Sequence, residues 1–232
     1  MPMELAPLRR RMDDVQPFPA LGGRAITGRL AGLDVVATTV GVGTRRATET
    51  TERVLQSVSV PLVVIVGIAG GSAPHLKIAD VVVPESVIHG PAGTTHTSTT
   101  SVARLDRKGT IRTDDDLLVD ANAVAALHRS GITAMDMETG SIAAVCERHG
   151  VEWTAFRAIS DNVERPVDPA SMTMLNPDGT VNLGAALRFM VRRPHRIPIL
   201  IRSGRDSAKA CNAAAEAAIR ALEGVAKRRP DG

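Results

Sequence analysis

Apolar residues along the chain form short continuous runs and helix-spaced stripes, a pattern typical of an α/β protein. Leu62–Val66, Ile132–Met137 and Trp153–Ile159 are short apolar runs that predict buried strands. Thr44–Val58 and Asp114–Ser130 space their apolar residues as amphipathic helices do. Strands that alternate with helices indicate a mostly parallel, twisted central sheet with helices on both faces. We therefore predict one domain over all 232 residues, a three-layer αβα sandwich.

Polar and glycine-rich segments separate these apolar elements and predict the connections. Ala25–Leu30 and Val35–Val40 are joined by a short segment with a glycine, which predicts a β-hairpin. Gly67–Gly71 follows the first buried strand and predicts a turn where the backbone comes close to a ligand. Glu4–Arg11 has helical spacing, and the alanine-rich Ser207–Lys227 predicts the last helix.

A long connection follows the third predicted strand. Asn162–Thr180 contains Pro166, Pro169 and Pro177 and has little periodicity. A connection of this length in a compact domain is usually functional or disordered. Because it directly follows Asp161, we predict that residues 162–180 form a lid over the candidate site.

Composition and charge exclude several classes of function. The formal net charge is +3, and many of the arginines lie late in the chain, within the predicted helix Val181–Arg193 and after it. Aromatic residues make up only 2% of the chain, so this basic region lacks the stacking partners of a nucleic-acid site. We interpret it as a solvated helical surface and expect no nucleic-acid partner. The histidines and cysteines have no metal-ligand spacing, so we expect neither a metal nor a cofactor.

Hydropathy and cysteine usage bear on location. No apolar run is long enough to span a membrane, and the amino end has no secretory apolar region. Cys146 and Cys211 lack paired spacing, which favours reduced side chains and a cytoplasmic location.

Two carboxylates follow predicted strands and define the candidate site. Glu138 comes directly after Ile132–Met137, and Asp161 comes shortly after Trp153–Ile159. We predict that the intervening helix makes these strands parallel neighbours. Both acids would then lie at the edge where open α/β sheets bind ligands. On position alone each acid has a structural alternative, because carboxylates also cap helices and stabilise their first turns.

Three segments of the chain resemble the purine nucleoside phosphorylase superfamily. Residues 135–140 read Met-Asp-Met-Glu-Thr-Gly, residues 157–161 read Arg-Ala-Ile-Ser-Asp, and a glycine-rich segment runs over 66–84. They occur in the family's order and rough spacing, and the methylthioadenosine/S-adenosylhomocysteine nucleosidases are the most similar branch. The resemblance implies an enzyme, a purine nucleosidase that hydrolyses the N-glycosidic bond of such an adenine nucleoside.

The implied reaction needs an acid for the departing base, negative charge beside a cationic sugar, and an activated water. By the resemblance, Asp161 protonates N7 of the purine, and Glu138 accepts hydrogen bonds from the ribose hydroxyls. Glu4 matches the glutamate that activates the water, although an ordinary surface acid is the alternative. The other candidates are expected to line the substrate pocket: Gly43, Ala69, Gly70, Leu118, Met137 and Ser160.

The chain departs from the family pattern in two places. In the family a buried strand precedes the first helix, whereas this chain starts where that strand would end. The first strand is therefore expected to be missing, either because the start is internal to a longer chain or because the sheet has lost this element. Phosphorylases of the superfamily tend to have an arginine two residues before the glycine turn, where this chain has Ile65. This favours water over phosphate as the acceptor. Arg45 and Arg46 beside an earlier glycine turn keep phosphorolysis as an alternative.

The end of the chain adds further alternatives. Residues 176–183 and 192–200 resemble the hopanoid-associated nucleosidase/phosphorylase group. That resemblance implies an adenosyl-hopane substrate and an apolar channel lined by Met172, Met174 and Leu175. A nucleoside-binding module with impaired catalysis is the alternative outside the enzymes. The family also implies a homodimer, in which a neighbouring subunit closes the 5′ side of the pocket.

Overall fold

The structure is a computed structural model, and it describes residues 1–90, 92–99, 108–116, 120–168, 173–174, 176 and 178–227. The helices are α1 (Pro2–Arg9), α2 (Thr44–Ser57), α3 (Ala121–Arg129), α4 (Thr139–Arg148), α5 (Leu183–Arg192) and α6 (Ile197–Ala226). The strands are β1 (Asp13–Pro17), β2 (Ile26–Leu30), β3 (Leu33–Ala37), β4 (Leu62–Gly71), β5 (Val81–Val82), β6 (Ser86–His89), β7 (Thr94–Thr97), β8 (Thr110–Thr113), β9 (Ile132–Asp136) and β10 (Glu152–Asp161).

The central sheet has seven strands in the order β5-β10-β4-β9-β8-β6-β7, and β1, β2 and β3 form a separate antiparallel sheet. The central sheet is mixed. β10 with β4, β6 with β8, and β8 with β9 are parallel, and these pairings contain most of the paired residues. The other three pairings are antiparallel. The predicted α/β class and the hairpin β2–β3 are therefore confirmed.

Helices cover both faces of the sheet, as in the predicted three-layer sandwich. Successive side chains of β10 point to opposite faces and are nearly all buried, as expected of a central strand. Trp153 belongs to a core cluster with Ile142 of α4 on one face. Ala158 packs against Ala210 and Ala214 of α6 on the other face. The small alanines let α6 lie close to the sheet along β10 and β4.

The prediction that β9 and β10 are parallel neighbours is wrong in both respects. β9 and β10 are not adjacent, because β4 lies between them, and β9 pairs with β4 antiparallel over Gly70 and Gly71. Because β4 runs parallel to β10, β9 runs opposite to β10, and the connection through α4 is not a parallel crossover. The carboxyl ends of β4, β9 and β10 nevertheless meet at Gly70, which faces Met135 of β9 and Asp161 of β10.

The glycine-rich segment after Val66 is part of β4 and does not form the predicted turn. At Gly67 an added Cβ would lie 2.3 Å from both Glu4 Oε1 and Arg157 Nη1. The glycine is therefore required by close side chains and not by a bend in the backbone.

One edge of β4 is open over most of its length. β10 pairs with β4 from Leu62 onward, but on the other edge the described strands reach only Gly70 and Gly71. The first element of the chain is α1, which contacts β4 and α6.

No described helix is both long enough and apolar enough to cross a membrane. Cys146 of α4 and Cys211 of α6 are free and buried, and burial raises the pKa of each thiol to about 12.

Candidate active site

A cavity of about 810 Å³ opens at the meeting point of β4, β9 and β10. This volume lies in the range typical of small-molecule sites. The residues that line it include seven of the predicted site residues: Glu4, Ala69, Gly70, Met137, Glu138, Ser160 and Asp161. Gly43 lies next to the cavity and contacts Glu138, whereas Leu118 falls outside the described residues.

A buried arginine holds the acids of the cavity together. Arg157 is 3% exposed, and its Nη2 lies 2.8 Å from Asp136 Oδ2. The same guanidinium is 3.7 Å from carboxylate oxygens of both Glu4 and Glu138, and its Nε donates to Thr139 Oγ1 at 2.8 Å. We call Arg157, Glu4, Asp136 and Glu138 the charge cluster. It contains one cation and three acids, so it favours a cationic ligand over an anionic one.

Glu138 is the N-cap residue of α4 and faces the cavity with an altered acidity. Its Oε1 accepts a hydrogen bond from the Gly43 backbone N–H at 3.0 Å. Burial raises its pKa to about 7, with further raising by Asp136 and Glu4, although Arg157 and the Gly43 bond oppose the shift. Near neutral pH this carboxyl group therefore changes between its protonated and its ionised form.

Asp161 ends β10 and also has a raised pKa. Burial is the cause, and a hydrogen bond from Ser160 Oγ to Asp161 Oδ2 at 2.7 Å opposes it. An added Cβ on Gly70 would lie 3.1 Å from Asp161 Oδ1, so the glycine gives this carboxyl group room. A carboxyl group that keeps its proton to higher pH is suited to donate it.

Glu4 reaches the cavity from α1. Its Oε1 accepts from the backbone N–H of Ile68 at 3.1 Å, on the open edge of β4, and its other oxygen contacts the Met1 amino group. The side chain is only 13% exposed, so the alternative of an ordinary surface acid does not describe its environment. Glu4 thus accepts a hydrogen bond from a backbone N–H that would otherwise be free to donate to a neighbouring strand.

The start of α2 is held by carboxylates from distant parts of the chain. Gly43 is the N-cap residue, with φ of 95°, and its N–H is bound by Glu138. Thr44 donates from its backbone N at 2.7 Å and from its Oγ1 at 2.6 Å to Asp115. Thr44 is therefore the first helical residue, and Asp115 supplies the capping carboxylate.

The sequence analysis predicted neither the central role of Arg157 in the site nor the position of Asp136. Asp136 was not among the predicted site residues, but its carboxylate lies against the guanidinium that Glu138 also approaches. Asp136 also accepts from Thr139, whose side chain it contacts, and from Thr113 Oγ1 at 2.5 Å. A basic residue within an otherwise apolar strand was the available signal, because a buried arginine needs acidic partners.

The predicted lid is only partly described. Val167 and Met174 line the cavity, and Met174 is 8% exposed. Met172 and Leu175, the other expected channel residues, lie outside the described residues. Closure of residues 162–180 over the site therefore stays a prediction.

The described residues contain no group of three or more histidine, cysteine or acidic side chains that could hold a metal ion. Arg157 is the one cationic side chain among the described residues that line the cavity. Arg45, one of the arginines proposed for phosphate, instead pairs with Glu49 at 2.7 Å on the exposed surface of α2.

Proteins with similar sequences are nucleosidases. A 5′-methylthioadenosine/S-adenosylhomocysteine nucleosidase from Geobacillus kaustophilus (strain HTA426) is 28% identical in an alignment of 190 residues that covers 69% of this chain and 81% of the relative. The corresponding nucleosidase from Shewanella halifaxensis (strain HAW-EB4) is 27% identical in an alignment of 199 residues that covers 72% of this chain and 86% of the relative.

Solved structures share the fold over nearly the whole chain. The Neisseria meningitidis 5′-methylthioadenosine/S-adenosylhomocysteine nucleosidase in complex with methylthio-immucillin-A has a TM-score of 0.73 at 19% identity, covering 97% of this chain and 96% of that chain. The futalosine hydrolase of Helicobacter pylori strain 26695 has a TM-score of 0.68 at 18% identity, covering 98% and 94%. The sequence pattern of the phosphorylase superfamily matches residues 1–126 and 99–176, well over half of the chain. With its α/β sheet and a cavity at the meeting strand ends, this chain belongs to the phosphorylase superfamily.

Proposed function

We propose that the protein is a nucleosidase that hydrolyses the N-glycosidic bond of an adenine nucleoside of the methylthioadenosine/S-adenosylhomocysteine type. The charge cluster is the observation that carries this proposal. Three acids and one arginine face a cavity of nucleoside size, next to a further acid at Asp161. Relatives with similar sequences are 5′-methylthioadenosine/S-adenosylhomocysteine nucleosidases.

Asp161 is proposed as the general acid. When the glycosidic bond breaks, the adenine leaves with the bonding electron pair, and a proton delivered to N7 makes the leaving group neutral. The raised pKa of Asp161 keeps that proton available at higher pH than for an ordinary aspartate. The Ser160 hydroxyl, which donates to Asp161, stabilises the carboxylate that remains.

Glu138 is proposed to bind the ribose hydroxyls. Its Oε1 is already held by Gly43, which fixes the carboxyl group at the start of α4. Positive charge develops on the sugar in the transition state, so a negative group beneath it stabilises that state more than the bound nucleoside. Met137, Ala69 and Gly70 are proposed to line the same pocket.

Glu4 is proposed to activate the attacking water. Its carboxylate is fixed by Ile68 and faces Arg157, so it can accept a proton from a water in the cavity as the new C–O bond forms. Arg157 orients the acids and limits their mutual repulsion.

The charge cluster favours water over phosphate as the acceptor. A phosphate dianion beneath the sugar needs arginine donors that are free to bind it. Here the one guanidinium of the described lining contacts three carboxylates, and Arg45 points to an exposed partner. An adenosyl-hopane is a second candidate substrate, because Val167, Met174 and Leu200 give the cavity an apolar side. A homodimer and a cytoplasmic location remain part of the proposal.

Adenine release tests this function. The purified full chain is incubated with methylthioadenosine, S-adenosylhomocysteine or adenosine, with and without phosphate, and adenine is measured by chromatography. We expect release without phosphate and a free sugar as the second product. Strict dependence on phosphate would show a phosphorylase, and nucleoside binding without any release would show a binding module. Either result overturns the proposal.

Two variants test the assigned roles. Asp161→Asn and Glu4→Gln should each lower kcat by about 10²–10⁴-fold, because each removes one proton transfer. Asp13→Asn and Glu216→Gln are matched controls, since both change exposed acids that do not line the cavity, and they should retain activity. Full activity in Asp161→Asn would contradict the acid assignment.

A further inference from the structure

Helix α5 exposes an apolar stripe. Leu183, Leu187 and Val191 are four residues apart and therefore share one side of the helix. They are 79%, 60% and 73% exposed, and Val181 before the helix and Ile201 in α6 are also exposed. On the other side of α5, Phe189 and neighbouring residues are half-buried, so the two leucines lie on the more exposed side of the helix. Contiguous exposed apolar residues of this kind mark an interaction surface.

Positive charge surrounds this stripe. The chain has no acidic residue between Asp178 and Asp206, whereas the same stretch contains six arginines: Arg188, Arg192, Arg193, Arg196, Arg202 and Arg205. All of them except Arg196, which pairs with Asp168 at 3.0 Å, are exposed. Arg188 and Arg192 directly follow Leu187 and Val191, which places guanidinium groups beside the apolar stripe on α5.

The same region adjoins the cavity. Val181, Leu200, Ser203 and Gly204 line the cavity, and they lie before α5 and in the first turns of α6. An apolar molecule on this surface would therefore be next to the cavity.

We propose that α5 and the start of α6 form a docking face for an anionic lipid surface. An interfacial helix buries an apolar side at the level of the lipid headgroups, and its arginines bind the negative headgroups. The helices of this face are not of the membrane-crossing kind, so the protein would lie on the bilayer. A second copy of the chain is disfavoured as the occupant, because a symmetric contact would bring the arginines of one copy against those of the other. This inference does not depend on the proposed reaction.

Vesicle sedimentation with the full chain tests the proposal. The probes are vesicles of phosphatidylcholine alone and vesicles with equal amounts of phosphatidylcholine and phosphatidylglycerol. We expect binding to the anionic vesicles only, and weaker binding at high salt because the headgroup attraction is screened. Equal binding to both vesicle types, or binding to neither, overturns the proposal.

Variants separate the apolar and the charged contributions. Leu183→Gln/Leu187→Gln and Arg188→Glu/Arg192→Glu should each weaken binding by about tenfold or more. Leu183→Met/Leu187→Met keeps the apolar character and should bind as the original chain does, and Arg129→Glu on exposed α3 is the charge control. Thermal unfolding of every variant checks that it is folded. If the leucine variant instead splits a dimer and leaves vesicle binding unchanged, the face is a subunit interface and the proposal fails.

Discussion

Replacing Arg157 by methionine should destabilise the protein strongly. Methionine fills much of the space of the arginine stem but has no charge and no donors. The change leaves Asp136, which is 1% exposed, without the guanidinium at 2.8 Å, and it leaves Glu4 and Glu138 facing each other across the vacated position. Three acids then share one buried region without the guanidinium between them.

The size of the effect follows from the burial of both partners. Removing one partner of a buried ion pair costs about 3–5 kcal/mol, because the other charge is left without compensation. For a chain of this length each kcal/mol lowers the midpoint of thermal unfolding by about 2–4 °C. We therefore expect Arg157→Met to lower Tm by about 10 °C at neutral pH, a shift that calorimetry or fluorescence detects easily.

The pH dependence of this loss gives a sharper test. Burial already raises the pKa of Glu138 to about 7, above its ordinary value of 4.5, and the loss of Arg157 should raise it further. A carboxyl group with a raised pKa binds its proton more tightly in the folded chain, so the folded chain gains stability as pH falls. The difference in the free energy of unfolding between the original chain and Arg157→Met should therefore become smaller as the pH falls from about 8 to about 5.

Arg129→Met, at an exposed position in α3, is the matched control and should change Tm by little. A loss below about 1 kcal/mol for Arg157→Met, or a loss that does not depend on pH, would refute the electrostatic account of the charge cluster.

Three further predictions concern other parts of the molecule. Glu138→Gln removes a carboxyl group whose pKa is about 7, so the free protein should gain thermal stability above about pH 7 while adenine release falls by about 10²-fold or more. Gly67→Ala places a Cβ within 2.3 Å of two side chains of the charge cluster, so it should lower both Tm and turnover, whereas Gly184→Ala in α5, where the nearest atom is 3.6 Å away, should not. Cys146 and Cys211, with pKa values near 12 and full burial, should not react with a thiol reagent in the folded chain, and both should react in denaturant. Thiol reaction in the native protein would contradict the packing of α4 and α6.

The sequence predicted those features that depend on local pattern. Leu62–Val66 and Trp153–Ile159 are apolar because both faces of their strands are covered, so a continuous run was a sufficient signal. Glu138 was found because it directly follows the predicted strand Ile132–Met137, and Asp161 because it comes shortly after Trp153–Ile159. Glu138 and Asp161 do line one cavity, even though the strands that carry them are not neighbours.

The rest depends on contacts between distant residues. β1, Asp13–Pro17, was not predicted because it is polar, contains a proline and lies at the edge of the small sheet. Gly67 was assigned to a turn because a glycine required by a nearby side chain looks the same in sequence as one required by a positive φ. Arg157 was used only as part of a motif, because nothing local shows that three acids from separate elements converge on it.

The start of α2 ties helix formation to the assembly of the whole molecule. Its first backbone donors are bound by Asp115 and Glu138, which lie 71 and 95 residues further along the chain. Such distant partners raise the contact order, so the amino end of this helix can become fully ordered only after β8, β9 and α4 have docked. A nascent chain that ends before residue 115 would therefore expose a frayed helix end to proteases, and protection of that end would report that the ligand cavity has been completed.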